Sequence, residues 1–580
     1  EALERIEIVK GSGQIMNGPQ TVGGVINFVT RRPPSEGTHG ALTFGGGTAD
    51  YRNAHLWLGT GRDGRGISLD YAFREGAGVR LEHGHRFHNA ILNGTLPISG
   101  NQSVVVKGAL WDESSRISET GLTQEEFEAD PFSLPFSAAG RFDVRRYLGQ
   151  AVHEIRSGGA RLQTNVYASN TNRASWRQSG ESEERLGEDE YAEDFNCSPG
   201  AISYVECGNQ GRPREYTVLG IEPRLSVDLD GDGNSSLDVG GRLYSEDVRR
   251  RQFVGDTPTS RMPDAELTRD NEIDTRVIAG YAQARLSFGS AAVSPGVRLE
   301  RLAQDIRNRF PGREAEAQQS YTQFLPGVGA TYGIGERATL FAGMHRGFAP
   351  PRPADIYQPE PGQPIVLVDP ETSWNSELGL RLDPRPGISL EATLFRMDFG
   401  NQIIEAPAGE GQRFINGGET LNQGLEAGAV LSLGTLRGTA DDLLLSGSYT
   451  YLPTARFEGG DGRGAEVAGN RLPYAPRHVV SAAASFAHRS GVTLGASAEH
   501  TGRQFADDEN TVSPSDDGQD GILPAYTVTN AFSSYAIPGT RVQIRASVRN
   551  LFDEVYITQR NEGIYTGMRR LVRTELEWSF

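Results

Sequence analysis

The last two segments of the chain constrain what can precede them, because their residues alternate in character one by one. In residues 541–549 one face would carry Val542, Ile544, Ala546 and Val548, and the other Arg541, Gln543, Arg545, Ser547 and Arg549. In residues 572–580 the same split sets Val572, Thr574, Leu576, Trp578 and Phe580 against Arg573, Glu575, Glu577 and Ser579. Successive side chains of a strand point to opposite faces, so these segments predict a sheet that is apolar on one side and polar on the other. A soluble antiparallel sheet satisfies that pattern. So does a barrel closed within a bilayer, where lipid-facing and lumen-facing positions alternate.

The number of such segments weighs towards the barrel. Period-two patterns recur at 55–59, 67–73, 103–110, 161–168, 277–286, 338–345, 378–382, 389–395, 443–451, 479–486 and 492–499. Turns alternate between short (61–64, 231–234, 489–491) and long (116–141, 172–214, 503–523). Short turns at one rim and long loops at the other characterise outer-membrane barrels. Helical periodicity is nearly absent, no repeat of fixed length appears, and no run reaches the ~18 apolar residues of a transmembrane helix. Glycine supplies 72 of 580 residues, well above its usual share of about 7%, which suits many turns and a crowded lumen.

Several function classes drop out. A net charge of −18 repels a polyanion, so nucleic acid is not the expected partner. No nucleophile–base order, phosphate-binding glycine loop or pair of catalytic carboxylates is present, so the chain is not expected to be an enzyme. Residues 228–233, DLDGDG, resemble the start of a calcium loop, but Val239 stands where the bidentate Glu belongs and no helices flank it. A tight turn is the expectation. His83, His85 and His88, in HGHRFH, have a spacing that could hold a transition metal, although a basic loop without metal explains them as well.

The N-terminal residues identify a family. Ile6, Ile8 and Val9 predict a short strand, Gly11, Gly13 and Gly18 break it, and Val25, Ile26, Phe28 and Val29 predict a second that Pro33 and Pro34 stop. The order GPQTVGGVINFVTR (18–31) closely resembles the end of the plug domain of TonB-dependent outer-membrane receptors. That resemblance implies an all-β chain in which residues 1–34 are the end of a plug. Residues 35–580 would then be a 22-stranded antiparallel transmembrane barrel around it, in the outer membrane of a Gram-negative bacterium. About 25 residues per strand and loop leave room for spans of ~10 residues. The rest of the plug and the segment that meets TonB are expected outside this chain. The terminal Phe580 is similar to the assembly signal of outer-membrane barrels. ETSWNSELGLR (371–381), NG (416–417) with GLEAG (424–428), GNRLPYAPRH (469–478) and VRNLFDEVY (548–556) resemble general signatures of the superfamily. REYTVLGIEPR (214–224), RQFADDENTV (503–512) and NEGIYTGMRR (561–570), with 18–31, look more narrowly like receptors for ferric dicitrate.

The narrower resemblance implies active uptake of a ferric chelate, iron(III) dicitrate or a similar carboxylate siderophore, with no cofactor. TonB, driven by the inner-membrane proton gradient, would supply the energy, and outer-membrane lipid and lipopolysaccharide would surround the barrel. Planar guanidinium groups grip carboxylates through paired hydrogen bonds. By matching context the resemblance assigns ligand contacts to Arg173, Arg214, Arg269 and Asn561, with Gln412 as a further candidate. Cys197 and Cys207, ten residues apart in an external loop, fit a disulfide in an envelope protein; two separate thiols are the alternative. Three features depart from the pattern. The acidic run from Glu181 to Asp194 would repel an anion if it faced the cavity, and is expected to be solvated or cation-bridged at the lipopolysaccharide surface. Gln14, Ile15, Met16 and Asn17 offer the ligand no basic residue, and the equivalent of the family's ligand-binding Gln has no firm position. A receptor for another siderophore or anionic nutrient is the runner-up. A passive porin or surface-binding barrel is the alternative of another class, against which residues 18–31 speak.

Overall fold

The computed structural model describes residues 2–9, 14–18, 23–80, 83–117, 121–133, 139–177, 208–352, 365–405, 414–460, 466–560 and 562–580. Twenty-two antiparallel strands close into one barrel, running in sequence order from Gly37–Gly47 to Leu571–Ser579. These first and last strands pair with each other from Ala41 opposite Ser579 to Gly47 opposite Arg573. The seam is finished by Gly40 and Phe580, each of which donates its N–H to the other's carbonyl at 2.9 Å. Closure leaves no unpaired edge in the wall, as a bilayer requires.

The alternation expected at the C-terminus holds around the ring. Leu219, Leu243, Ile278, Leu299, Leu394 and Leu494 point outward and are exposed, forming the apolar belt. Phe288, Tyr332, Phe486, Tyr535 and Trp578 sit outward near the short turns, where amphipathic rings favour the membrane interface. One such turn, between the paired Arg62 and Arg65, consists of Asp63 (φ 52°) and Gly64 (φ 74°). Two left-handed residues match the right-handed twist of a hairpin, and glycine adopts that conformation without penalty.

Glycine also works inside the strands, as the partner of aromatic rings. Gly220 lies directly opposite Tyr167, Gly240 opposite Tyr281, Gly379 opposite Phe341 and Gly495 opposite Phe532. In each case a Cβ on the glycine would lie 2.2–2.4 Å from the ring. The rings lie flat over bare backbone, and Tyr167 donates its hydroxyl to Glu222 Oε1 at 2.8 Å.

Several expectations change. The loop predicted over 172–214 is shorter, because Ala160–Arg177 and Asn209–Asp228 continue as paired strands well beyond the apolar belt. DLDGDG is a turn whose own backbone occupies its carboxylates: Asp228 Oδ1 accepts from the N–H of Gly231 (2.9 Å) and Asp230 Oδ2 from that of Ser235 (2.7 Å). His85 and His88 fall on opposite faces of the strand Gly84–Ser99, and Tyr71 engages His88 Nδ1 at 2.8 Å. They cannot share a metal ion. His83 stands before that strand, where burial, then Arg80 and Arg116, push its imidazole down to about 4.

The N-terminal residues form a separate two-stranded sheet, Leu3–Val9 with Val25–Thr30, joined to a single helical turn at Gln14–Asn17. That turn rests on the inner wall. Ile15 is buried in a niche made by Gly296 and Gly327, where a Cβ would come within 2.6 and 2.9 Å of its Cδ1. Arg298, ion-paired with Glu300 at 2.6 Å and as fully buried as it, donates to the Ile15 carbonyl at 3.4 Å. At the long-loop end, Leu122, Ala506, Leu523, Ile557 and Ile564 pack with Phe127 into a small external core that ties three loops together. Leu122 and Ile564 exchange backbone hydrogen bonds at 2.9 and 2.7 Å.

Two outcomes follow for stability. Gly220→Val should displace Tyr167 and destabilise the barrel by about 1–3 kcal/mol, the usual result of overpacking, read as a lower temperature for loss of the compact band on unheated gels; an unchanged transition would refute the pairing argument. The His83 ring should titrate near pH 4 rather than 6.5. Since the fold holds the neutral ring, its contribution is complete above 6.5 and is lost as the pH falls from there through 4. NMR of the imidazole checks this, and a midpoint near 6.5 would contradict it.

Candidate functional site

Beyond the apolar belt, four neighbouring strands turn arginines towards the lumen. The period of two puts Arg173 and Arg177 on one face of Ala160–Arg177, and Arg212 and Arg214 on one face of Asn209–Asp228. Register then brings them side by side. Arg214 is directly opposite Arg173 on one side and Arg250 on the other. One step further out, Arg212 stands opposite Ser175, and Arg269 opposite Gln252 on the strand that carries Arg250.

Arg212 donates to Gln210 Oε1 at 2.5 Å, and burial together with Arg177, Arg269 and Arg214 lowers its guanidinium to about 9, still cationic at neutral pH. The opposing influence is Glu562, which brings the last external loop within electrostatic reach of the cluster. Arg173 stacks over the Phe142 ring at 5.0 Å and leaves a buried Nε without a hydrogen-bond partner. Like charges held this close raise one another's energy, and an anion between them relieves it. The arrangement can therefore accept an anion, and its planar donors suit carboxylates.

Of the residues singled out from the sequence, Arg173, Arg214 and Arg269 converge here. Asn561, Gln412, Cys197 and Cys207 lie outside the described residues, as does the acidic run from Glu181 to Asp194. Arg177, Arg212 and Arg250 were not singled out. The signal for the first two was available, since they follow or precede chosen arginines by an even number of residues on the same strands. The helical turn Gln14–Asn17 contributes nothing to the cluster; it sits lower, on Gly296, Gly327 and Arg298. Among the described residues no group of three or more His, Cys, Asp or Glu could hold a metal ion.

Comparison with known proteins adds the family. The model for "TonB dependent receptor-like, beta-barrel" matches residues 111–551. The chain is 23% identical to the metal-pseudopaline receptor CntO of Pseudomonas aeruginosa, over 96% of this chain and 77% of that protein. It is 22% identical to the ferric enterobactin receptor of the same organism, over 96% of this chain and 76% of that one. Its fold matches that of the ferric citrate transporter FecA in the unliganded form with a TM-score of 0.82 at 24% identity, covering 99% of this chain and 83% of that one. The siderophore receptor PiuA from Acinetobacter baumannii gives the same TM-score at 14% identity, over 100% of this chain and 86% of the other. The chain belongs to the TonB-dependent receptor β-barrel family: it is an outer-membrane receptor of the Gram-negative type, not an enzyme.

Proposed function

We propose that the arginine cluster of the upper lumen binds an anionic ferric chelate for active uptake, with iron(III) dicitrate as the first candidate. The observation that carries this reading is the row Arg173, Arg214, Arg250 with Arg177, Arg212 and Arg269 beside it, all facing the lumen. Citrate in a ferric complex presents carboxylates outward, which is what paired guanidinium groups recognise. The likeness to FecA supports the choice of citrate. CntO and the enterobactin receptor, named for other chelators, support a second reading in which the cargo is a different carboxylate-bearing siderophore.

In this reading residues 1–34 are the end of a plug that fills the lumen below the cluster, held against the wall at Ile15. By the family resemblance Asn561 and Gln412 are further ligand contacts in this reading, and Cys197 and Cys207 are a disulfide pair. Charge neutralisation at the cluster draws the loops onto the chelate. TonB, energised at the inner membrane, then displaces the plug and the chelate passes inward.

Titration of the full-length, detergent-solubilised protein with ferric citrate should show saturable binding. Removing a charged hydrogen-bond partner costs about 1.5–3 kcal/mol, so Arg214→Ala and Arg269→Ala should each weaken it by about ten- to a hundredfold. Arg212→Ala should behave likewise. If ferric citrate fails to bind while another ferric chelate does, and that binding needs the same arginines, the cluster stands and citrate falls. If binding survives without the arginines, the cluster is not the site.

A further inference from the structure

The lumen holds a second cavity, half-way round the ring of strands from the arginine cluster. It measures about 890 Å³ and is walled by Val492–Thr501, Tyr526–Ala536, Val542–Arg549 and Leu571–Ser579. That volume falls within the ~300–1,000 Å³ of small-molecule sites. Alternation fixes which side chains enter it. Leu494, Tyr535, Ile544 and Leu576 face outward and are exposed. By the period of two, Glu499, Tyr526, Phe532, Arg549 and Arg573 on the same strands therefore face the lumen.

The two sides of the cavity differ in chemistry. On one, Tyr526 and Tyr556 stack with ring centroids 4.4 Å apart. Tyr556 is backed by Gly567, where a Cβ would lie 1.9 Å from the ring, so the pair cannot recede. Phe532, further along the strand of Tyr526, is 43% exposed. On the other side Arg573 stands opposite Ser547, which makes Arg549 its diagonal neighbour, about 7–8 Å away at the backbone. Nearby arginines are neutralised, Arg545 by Glu577 at 3.0 Å and Arg569 by Asp553 at 2.7 Å. Among the described residues Arg549 and Arg573 have no carboxylate within ion-pair distance. Arg573 stacks over the Tyr51 ring at 4.0 Å, and its Nε is buried without a hydrogen-bond partner. Of the carboxylates lining the cavity, Glu575 accepts from Asn53 Nδ2 at 3.2 Å, and Glu499 lies on the tyrosine side, opposite Val528.

We infer that this cavity is a site for an aromatic carboxylate, separate from the arginine cluster and independent of the cargo assigned to it. The ring of such a ligand packs against the tyrosines and Phe532, which favour another aromatic ring over a saturated one. Its carboxylate meets the planar donors of Arg549 and Arg573. Glu499 repels the anionic end from the tyrosine side and so sets the direction in which the ligand lies. An aliphatic anion gains only the arginine half of the site, and a neutral aromatic only the tyrosine half.

The test titrates the full-length, detergent-solubilised protein with benzoate, cyclohexanecarboxylate and benzyl alcohol, and reads binding by ligand-observed NMR. Benzoate should bind saturably and more tightly than either of the others, and ferric citrate should not displace it. Losing a charged hydrogen-bond partner weakens binding by about ten- to a hundredfold, the expected result for Arg549→Gln and for Arg573→Gln. Tyr526→Leu removes one aromatic contact and should cost about two- to tenfold. Absence of saturable benzoate binding overturns the inference, as does equal binding of cyclohexanecarboxylate or of benzyl alcohol. Displacement by ferric citrate, or undiminished binding in both arginine variants, overturns it too. The comparison of ligands needs no substitution, so it decides the matter even if a variant does not assemble.

Discussion

Everything in this molecule depends on one constraint: inside a bilayer a peptide N–H or C=O has no water to bond, so each must find another strand. The chain meets it by returning its last strand to its first, with Gly40 and Phe580 completing the seam. Once closed, the wall offers only two kinds of position. Outward ones must suit lipid and headgroups, and inward ones are free to be polar. Arg214 and Leu219 sit five residues apart on one strand and obey opposite rules.

The arginine cluster is a product of that geometry rather than of a dedicated motif. Cross-strand neighbours are brought within reach by ladder hydrogen bonds alone, so Arg173, Arg214 and Arg250 form a row because their strands are in register. Holding six cations on one patch of wall is costly in isolation. The wall bears it because the ladders of all four strands run on well past the patch and hold it in place.

Much of this was legible in the sequence. Strict alternation near the C-terminus, with alternately short and long turns, was enough for a barrel, and the resemblance of residues 18–31 supplied the strand number. Arg173, Arg214 and Arg269 are recognisable by context, yet the alternation sets Arg173 and Arg214 at the edges of the long turn 172–214 and begins the next strand pattern only at 277, after Arg269. Their strands run far past the membrane, and nothing in the alternation marks where lipid ends and water begins. The partners Arg177, Arg212 and Arg250 needed register, which a one-residue slip would invert and which no local pattern states. The seat of Ile15 was equally hidden, because Gly296 and Gly327 become a niche only when strands distant from residue 15 are placed beside it.

The interleaving of inward and outward positions has an evolutionary corollary. Each strand writes two messages on alternate letters, one read by the bilayer during assembly and one read by whatever enters from outside. Substitutions at lumenal letters can redraw the cargo without disturbing insertion, and outward letters can track the lipid without disturbing the cargo. Relatives that share this barrel at 22–24% identity, yet are named for quite different chelators, are what such a two-channel text would produce.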